Sequence, residues 1–230
     1  MHMGADGTLL VHGGMCTARF WAPVMEHLAR PAVAVDLPGR RARPAELAAV
    51  TLDDCVQTVI DAADEAGFEQ VVLVAHSLGG VTITETAWRF PQRVKHLIYV
   101  AADVPAPGET AAIAHIGADW PPEQPVTIEE NIARAMFGND LTEDQWNEVW
   151  QQFVPDTPTL MNARVSGYPS GVPITYISMT DDIAVPAAMA KQMIANLGGN
   201  VEHREIVAGH LVTVSKPREL AAMINEVVDR

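Results

Sequence analysis

The stretch Val71-Val72-Leu73-Val74-Ala75-His76-Ser77-Leu78-Gly79-Gly80 constrains this chain more than any other. Its opening apolar residues, dominated by β-branched Val, read as a strand buried on both faces. After His76-Ser77, Gly79 and Gly80 lead into residues 81–88, which read as a helix. A strand, a one-residue corner carrying Ser and then a helix is the context a nucleophile elbow needs. The sharp turn lifts the hydroxyl over the sheet edge, and small neighbours let the helix pack back on the strand. Ala75 takes the place of the first Gly in the usual Gly-x-Ser-x-Gly pattern, where a methyl group still fits. A buried βα unit with an incidental Ser has the same local pattern, so the rest of the chain must supply the partners of a nucleophile.

Around this stretch, apolar runs and amphipathic segments alternate. Residues 8–11, 32–35, 94–100, 174–179 and 201–207 read as further strands, the last with the alternating charge of an edge. Helices are expected over residues 17–30, from a Thr51 cap to Gly67, over 186–196 and over 217–228. Strands alternating with helices imply an α/β protein with a mostly parallel central sheet flanked by helices. The rhythm breaks at Ala101. Residues 103–169 contain no convincing buried strand, and Pro105, Pro107, Pro121, Pro122 and Pro125 punctuate their start. Helical patterns follow over residues 128–137 and 142–153, the second opening with the capping box Thr142-Glu143-Asp144-Gln145. The expected organisation is a core of residues 1–104 and 170–230 with a helical cap inserted over residues 105–169.

A chain of 230 residues, 48% hydrophobic and 19% charged, suits one folded domain of this class. No apolar run approaches the roughly 20 residues of a membrane span, and Met1-His2-Met3-Gly4, with no basic region leading into an apolar core, is not expected to be a signal peptide. Cys16 and Cys55 are too few for a disulfide framework and suit a reducing cytosol. The net charge of −14 argues against nucleic acid or anionic membrane as a partner.

An elbow Ser needs a base within hydrogen-bond reach and an acid to orient it, following in the order Ser, Asp or Glu, His. Met179-Thr180-Asp181-Asp182 starts at the end of one expected strand and Val207-Ala208-Gly209-His210 after another, where functional groups of parallel sheets collect. Asp182 and His210 are 28 residues apart, room for one helix and one strand. Asp182 is the first choice of acid, with Asp181 and Asp103 as rivals. His210 is the base. His203 reads as a solvated side chain on the edge strand, and His27 and His96 as surface or core residues. His76 is expected to pack or hydrogen-bond locally beside the nucleophile. His115 reads as an exposed loop residue, with a place in a pocket as the alternative. Oxyanion donors are expected from the Leu78 amide and from the loop His12-Gly13-Gly14-Met15.

With Leu10-Val11-His12-Gly13-Gly14, Trp21, Val33-Ala34-Val35-Asp36-Leu37-Pro38-Gly39, Ala75 to Gly80, Leu97 to Pro105, Asp182-x-x-Val185-Pro186 and Gly209-His210, the chain resembles the small α/β-hydrolases. It is similar in pattern to the branch of plant methylesterases and hydroxynitrile lyases. The resemblance covers most of the chain except the insertion. It implies Ser77, Asp182 and His210 as a triad, Gly14 and Leu78 as oxyanion-hole amides, and neither cofactor nor metal. The lyases of this branch carry Thr after the first His of the oxyanion loop and Lys after the catalytic His; Gly13 and Leu211 stand there, which disfavours lyase chemistry. Ser at 77 excludes a carboxylate-nucleophile mechanism. The expected activity is hydrolysis of a carboxylic ester or lactone, with a cofactor-free perhydrolase, a hydroxynitrile-lyase-like activity or a non-catalytic small-ligand receptor as alternatives.

Gly13, Met15, His76 and Leu211, with Trp120 from the insertion, form the candidate substrate-binding set. Ile128, Ile132, Met136, Phe137, Trp146, Trp150 and Phe153 could add an apolar lid, although most of the indoles are expected simply to pack the cap. A hydrophobic small-molecule substrate follows. Arg40, Arg41 and Arg43 read as a solvated loop, with contact to an anionic group as the alternative. Cys16 is either a packed thiol or a pocket residue.

Overall fold

Runs of Val, Ile and Leu too continuous for a half-exposed sheet become the central strands of a parallel one. The structure is a computed structural model that describes residues 5–229. Residues 1–4, read above as lacking a signal peptide, and Arg230 lie outside the described residues. The described strands are β1 Ala5–Val11, β2 Ala32–Val35, β3 Phe68–His76, β4 Val94–Val100, β5 Ile174–Met179 and β6 Val201–Ile206. They form one sheet in the order β2-β1-β3-β4-β5-β6, with every pairing parallel.

Alternation along the strands sorts their side chains onto two faces. Leu9, Leu73, Ala75, Leu97, Tyr99 and Tyr176 pack under helices α2 Leu52–Glu65, α3 Gly79–Arg89 and α8 Ala187–Leu197. Leu10, Val72, Val74, Ile98 and Ile177 pack on the other side against Trp21, against Val24 of α1 Ala22–Met25, and against α10 Pro217–Val228. Thr51 caps α2 as expected. Its hydroxyl accepts the Asp54 N–H at 3.1 Å, and Asp54 accepts the Thr51 N–H at 2.9 Å.

The helix expected over residues 17–30 is much shorter. A 3-10 turn, Ala18–Trp21, runs into α1. Pro23 cannot donate to the preceding turn, so it starts a new helix rather than continuing one. Beyond Met25 the Ala29 N–H goes to Asn225 Oδ1 of α10 at 2.9 Å instead of to a helix carbonyl.

Between β4 and β5 lie α4 Ala111–Ile116, α5 Glu130–Phe137, α6 Glu143–Trp150 and α7 Pro158–Asn162. The capping box Thr142–Gln145 opens α6. α4 and α7 escaped the sequence reading because a helix of five or six residues shows too little periodicity. Ala133, Leu141, Trp146 and Val149 of this segment form a third apolar cluster with Cys16, Phe20 and Leu211, fastening it over the loops after β1 and β6. A short helix, α9 Val212–Ser215, follows the second of these loops. No helix of the described residues is long and apolar enough to cross a membrane.

Register places the site. Val11 pairs with Ala75, His76 with Val100, and Met179 with Ile206. The loops after β1, β3, β4, β5 and β6 therefore leave the same edge together. Strand order reverses at β1 and β3, since β2 lies to one side of β1 and the later strands to the other. The crevice above such a reversal is where open α/β sheets bind ligands.

Candidate active site

The corner after β3 is a strained one. Ser77 adopts φ 50°, in the left-handed region that a residue with a side chain avoids. Three backbone hydrogen bonds hold it there. Its N–H donates to Val100 O at 3.1 Å, and its carbonyl accepts the N–H groups of Gly80 at 3.0 Å and Asp103 at 2.9 Å. α3 begins directly afterwards, pressed so close that a Cβ at Gly79 would lie 2.5 Å from His12 O and one at Gly80 2.4 Å from Asp103 O. Only glycine fits at either position.

His210, in the loop after β6, reaches Ser77 Oγ with Nε2 at 3.0 Å. Its Nδ1 lies 2.8 Å from Asp182 Oδ2 in the loop after β5. Asp182 Oδ1 accepts the amides of Ala184 at 2.8 Å and Val185 at 2.9 Å. Burial pushes the Asp182 carboxyl up, but the His210 charge and hydrogen bond, the Val185 amide and His76 outweigh it and hold it below the usual range. An ionised carboxylate only accepts, so His210 Nδ1 carries the proton and Nε2 is left to accept from the Ser77 hydroxyl. Asp181 is exposed, and among the described residues its side chain bonds only its neighbour Thr180. Asp103 bonds His115 at 2.7 Å, not His210.

His76 is buried, and its Nε2–H donates to the His210 carbonyl at 2.9 Å, while the two rings lie 4.7 Å apart. Phe137 flanks the His210 ring on another side at 5.3 Å. Burial and the nearby His210 lower His76 to about 3, so it stays neutral and holds the backbone of His210.

The loop after β1 faces this corner. A Cβ at Gly14 would sit 3.2 Å from Leu78 Cδ2, and one at Gly13 2.9 Å from Ser77 Cβ. Met15 has φ 57°. Its amide donates to Asp156 Oδ2 at 2.8 Å and its carbonyl accepts the Val154 N–H at 2.9 Å. The Met15 amide is therefore spent on structure, leaving Gly14 as the loop residue that faces Leu78. Arg40 corrects the reading of its segment as a solvated loop. It is fully buried, donates to Asp156 at 2.7 and 2.6 Å, and gives Nε–H to Cys16 O at 3.0 Å. Sequence reasoning missed this pair because Asp156 lies 116 residues away and carries no motif. Arg41 is exposed and Arg43 bonds Glu65 at 3.5 Å.

A cavity of about 260 Å³ opens above Ser77. Gly14, Met15, His76, Trp120 and Leu211 of the candidate binding set line it, together with Cys16. Gly13 does not; its backbone is pressed against the Ser77 corner. Ile128, Met136, Phe137 and Phe153 also line it. Ile132 is exposed, and Trp146 and Trp150 stack on each other instead. His115 is a correction as well: it sits on α4, not on an exposed loop, and lines the cavity. His203 is exposed as read, with Nε2 2.8 Å from Ser178 Oγ.

These features coincide with a family pattern. The sequence pattern of the alpha/beta hydrolase family matches residues 8–223, and the chain belongs to that family. A pyrethroid hydrolase of Sphingobium wenxiniae is 25% identical over 250 residues, spanning 99% of this chain and 89% of that protein. Methylesterase 7 of Arabidopsis thaliana is 26% identical, with 96% of each chain covered. Among solved structures, an extracellular alpha/beta-hydrolase from a Paenibacillus species superposes with a TM-score of 0.82 at 20% identity, covering 96% of this chain and 98% of that one. That protein is described as sharing structural and functional homology with tobacco salicylic acid binding protein 2.

Proposed function

We propose that this chain is a serine hydrolase that cleaves a small, neutral, largely apolar carboxylic ester or lactone through an acyl-enzyme. The observation that carries the reading is the continuous Asp182–His210–Ser77 chain, with links of 2.8 and 3.0 Å beneath the cavity. The esterase names of the relatives support ester bonds as the target. As the Ser77 hydroxyl attacks the carbonyl carbon, His210 Nε2 takes its proton, and Asp182 stabilises the imidazolium. Charge on the carbonyl oxygen is met by the Gly14 and Leu78 amides, the latter at the start of α3, where the helix dipole favours an anion. His210 then protonates the leaving alkoxide, and the acyl group stays on Ser77. Water, deprotonated by the same nitrogen, releases the acid and restores the hydroxyl. Residues 105–169 serve as the cap whose aromatic and aliphatic side chains select the substrate over a core of residues 1–104 and 170–230.

In a panel of aryl and alkyl esters and lactones, at least one substrate is turned over, and Ser77→Ala loses that turnover by several powers of ten while keeping its melting temperature. A folded Ser77→Ala variant that works at the normal rate would refute the reading.

A further inference from the structure

A second His–Asp pair lies in the same cavity, outside the Ser77 chain. His115, on α4, holds Asp103 Oδ1 at 2.7 Å through Nε2, and both residues line the space above Ser77. Asp103 is buried, and its backbone N–H is bonded to the Ser77 carbonyl at 2.9 Å, so the pair is anchored to the nucleophile's own corner. Because the carboxylate accepts, Nε2 carries a proton. Nδ1 makes no hydrogen bond among the described residues.

The other polar groups of the lining are mostly committed. His76 Nε2 is given to the His210 carbonyl and Trp120 Nε1 to Gln124 O at 3.0 Å. Burial raises the Cys16 thiol, which stays protonated and is a weak donor. Thr127 is exposed. His115 Nδ1 is thus an uncommitted ring nitrogen in a cavity whose wall away from Ser77 and His210 is largely of Met, Phe, Ile and Leu side chains.

We propose that His115, oriented by Asp103, is the polar recognition point of the cavity, and that the substrate is an apolar ester carrying a second, neutral oxygen acceptor away from the scissile bond. The inference rests on the esterase reading for the scissile ester bond, but not for the binding site. The charge of Asp103, aided by its hydrogen bond and by Asp182, raises His115 above its ordinary value against the opposing effect of burial. That direction favours the imidazolium, the form in which Nδ1 as well as Nε2 carries a donor proton. The acceptor it meets is neutral because the imidazolium is already balanced by Asp103. A ligand carboxylate would bring an unpaired charge into an apolar space, next to an anion.

The test uses Ser77→Ala protein, in which no covalent adduct can form, and three ligands with one carbon skeleton: benzylacetone, n-butylbenzene and 4-phenylbutanoate. Affinities are read from tryptophan fluorescence, since Trp120 lines the cavity. Benzylacetone is expected to bind more tightly than n-butylbenzene. Adding His115→Leu lowers that preference about fivefold, the worth of one ordinary hydrogen bond. His115→Gln, whose amide still donates, restores part of it. Melting temperatures of the variants establish that each is folded. A preference untouched by His115→Leu, one that His115→Gln fails to restore, tighter binding of 4-phenylbutanoate, or no binding of any ligand would each overturn the proposal. Failure of the ester panel would remove the esterase reading and leave these affinities as they stand.

Discussion

At φ 50° Ser77 carries backbone strain on the order of 1–3 kcal/mol, tolerated because its N–H and carbonyl are bonded to β4 and to the turns on either side. The residues around it divide the labour by which atoms remain free. Asp182 spends one oxygen on backbone amides and the other on His210; His76 spends its Nε2 on the His210 carbonyl. Asp182→Asn would reverse the donor on His210 Nδ1 and put the proton on the nitrogen that must accept from Ser77. Its kcat is expected to fall by several powers of ten, while Asp181→Asn, at an exposed position, turns over normally. Equal kcat values for the two variants would contradict the assignment of the acid. The Asp182–His210–Ser77 hydrogen-bond chain is legible in the sequence because each residue stands just past an apolar run, in a chain order that one mechanism requires. Asp103 and His115 each stand out in the sequence, but nothing in local spacing tells that α4 folds back over the end of β4 and joins them.

The loop after β1 depends on an ion pair that no sequence pattern announces. Asp156 takes hydrogen bonds from the Met15 and Thr157 amides and from both terminal guanidinium nitrogens of Arg40, with both side chains fully buried. Breaking such a pair costs about 3–5 kcal/mol, because the remaining charge is stranded away from water. Asp156→Leu should therefore lower the melting temperature sharply and reduce kcat, as Met15 loses the acceptor that fixes its φ of 57°. Pairing it with Arg40→Met removes both charges. Stability then recovers in large part, but kcat stays low because the amide of Met15 is still unanchored. Recovery of both together would show that the pair acts only on stability. At this scale the strands were the most legible part, because parallel strands buried on both faces leave continuous apolar runs. The segment from α4 to α7 was the least legible, because its helices are short and are held by tertiary contacts such as Ala133, Trp146 and Leu211.

Two neutral histidines beneath the site couple the stability of the whole molecule to pH. Burial first, and then Arg40, lowers His12 to about 4, where Nε2 accepts the Leu37 amide; His76 lies at about 3. Both are far below the 6.5 of an unfolded chain. Above pH 6.5 neither state is protonated and stability is full. Below it the unfolded chain takes up protons that the folded one refuses, so stability falls with pH until the folded values are reached. At about 1.4 kcal/mol per pH unit, each histidine costs roughly 2 kcal/mol by pH 5. Asp182 acts in the same direction further into acid. The urea midpoint should be clearly lower at pH 5 than at pH 7, and equal midpoints would show that these rings are not buried neutral. The overall architecture followed from strand–helix alternation alone, whereas these couplings depend on which groups the fold deprives of water.

The central claim is that Ser77 is the activated nucleophile of an acyl-transfer site. A fluorophosphonate, which bonds only a serine made nucleophilic by an adjacent base, tests it most directly. Intact-protein mass measurement should show one adduct per chain, located by peptide mapping on Ser77 and absent from Ser77→Ala and His210→Ala. No adduct on the folded native chain, or an adduct that persists in Ser77→Ala, would contradict it.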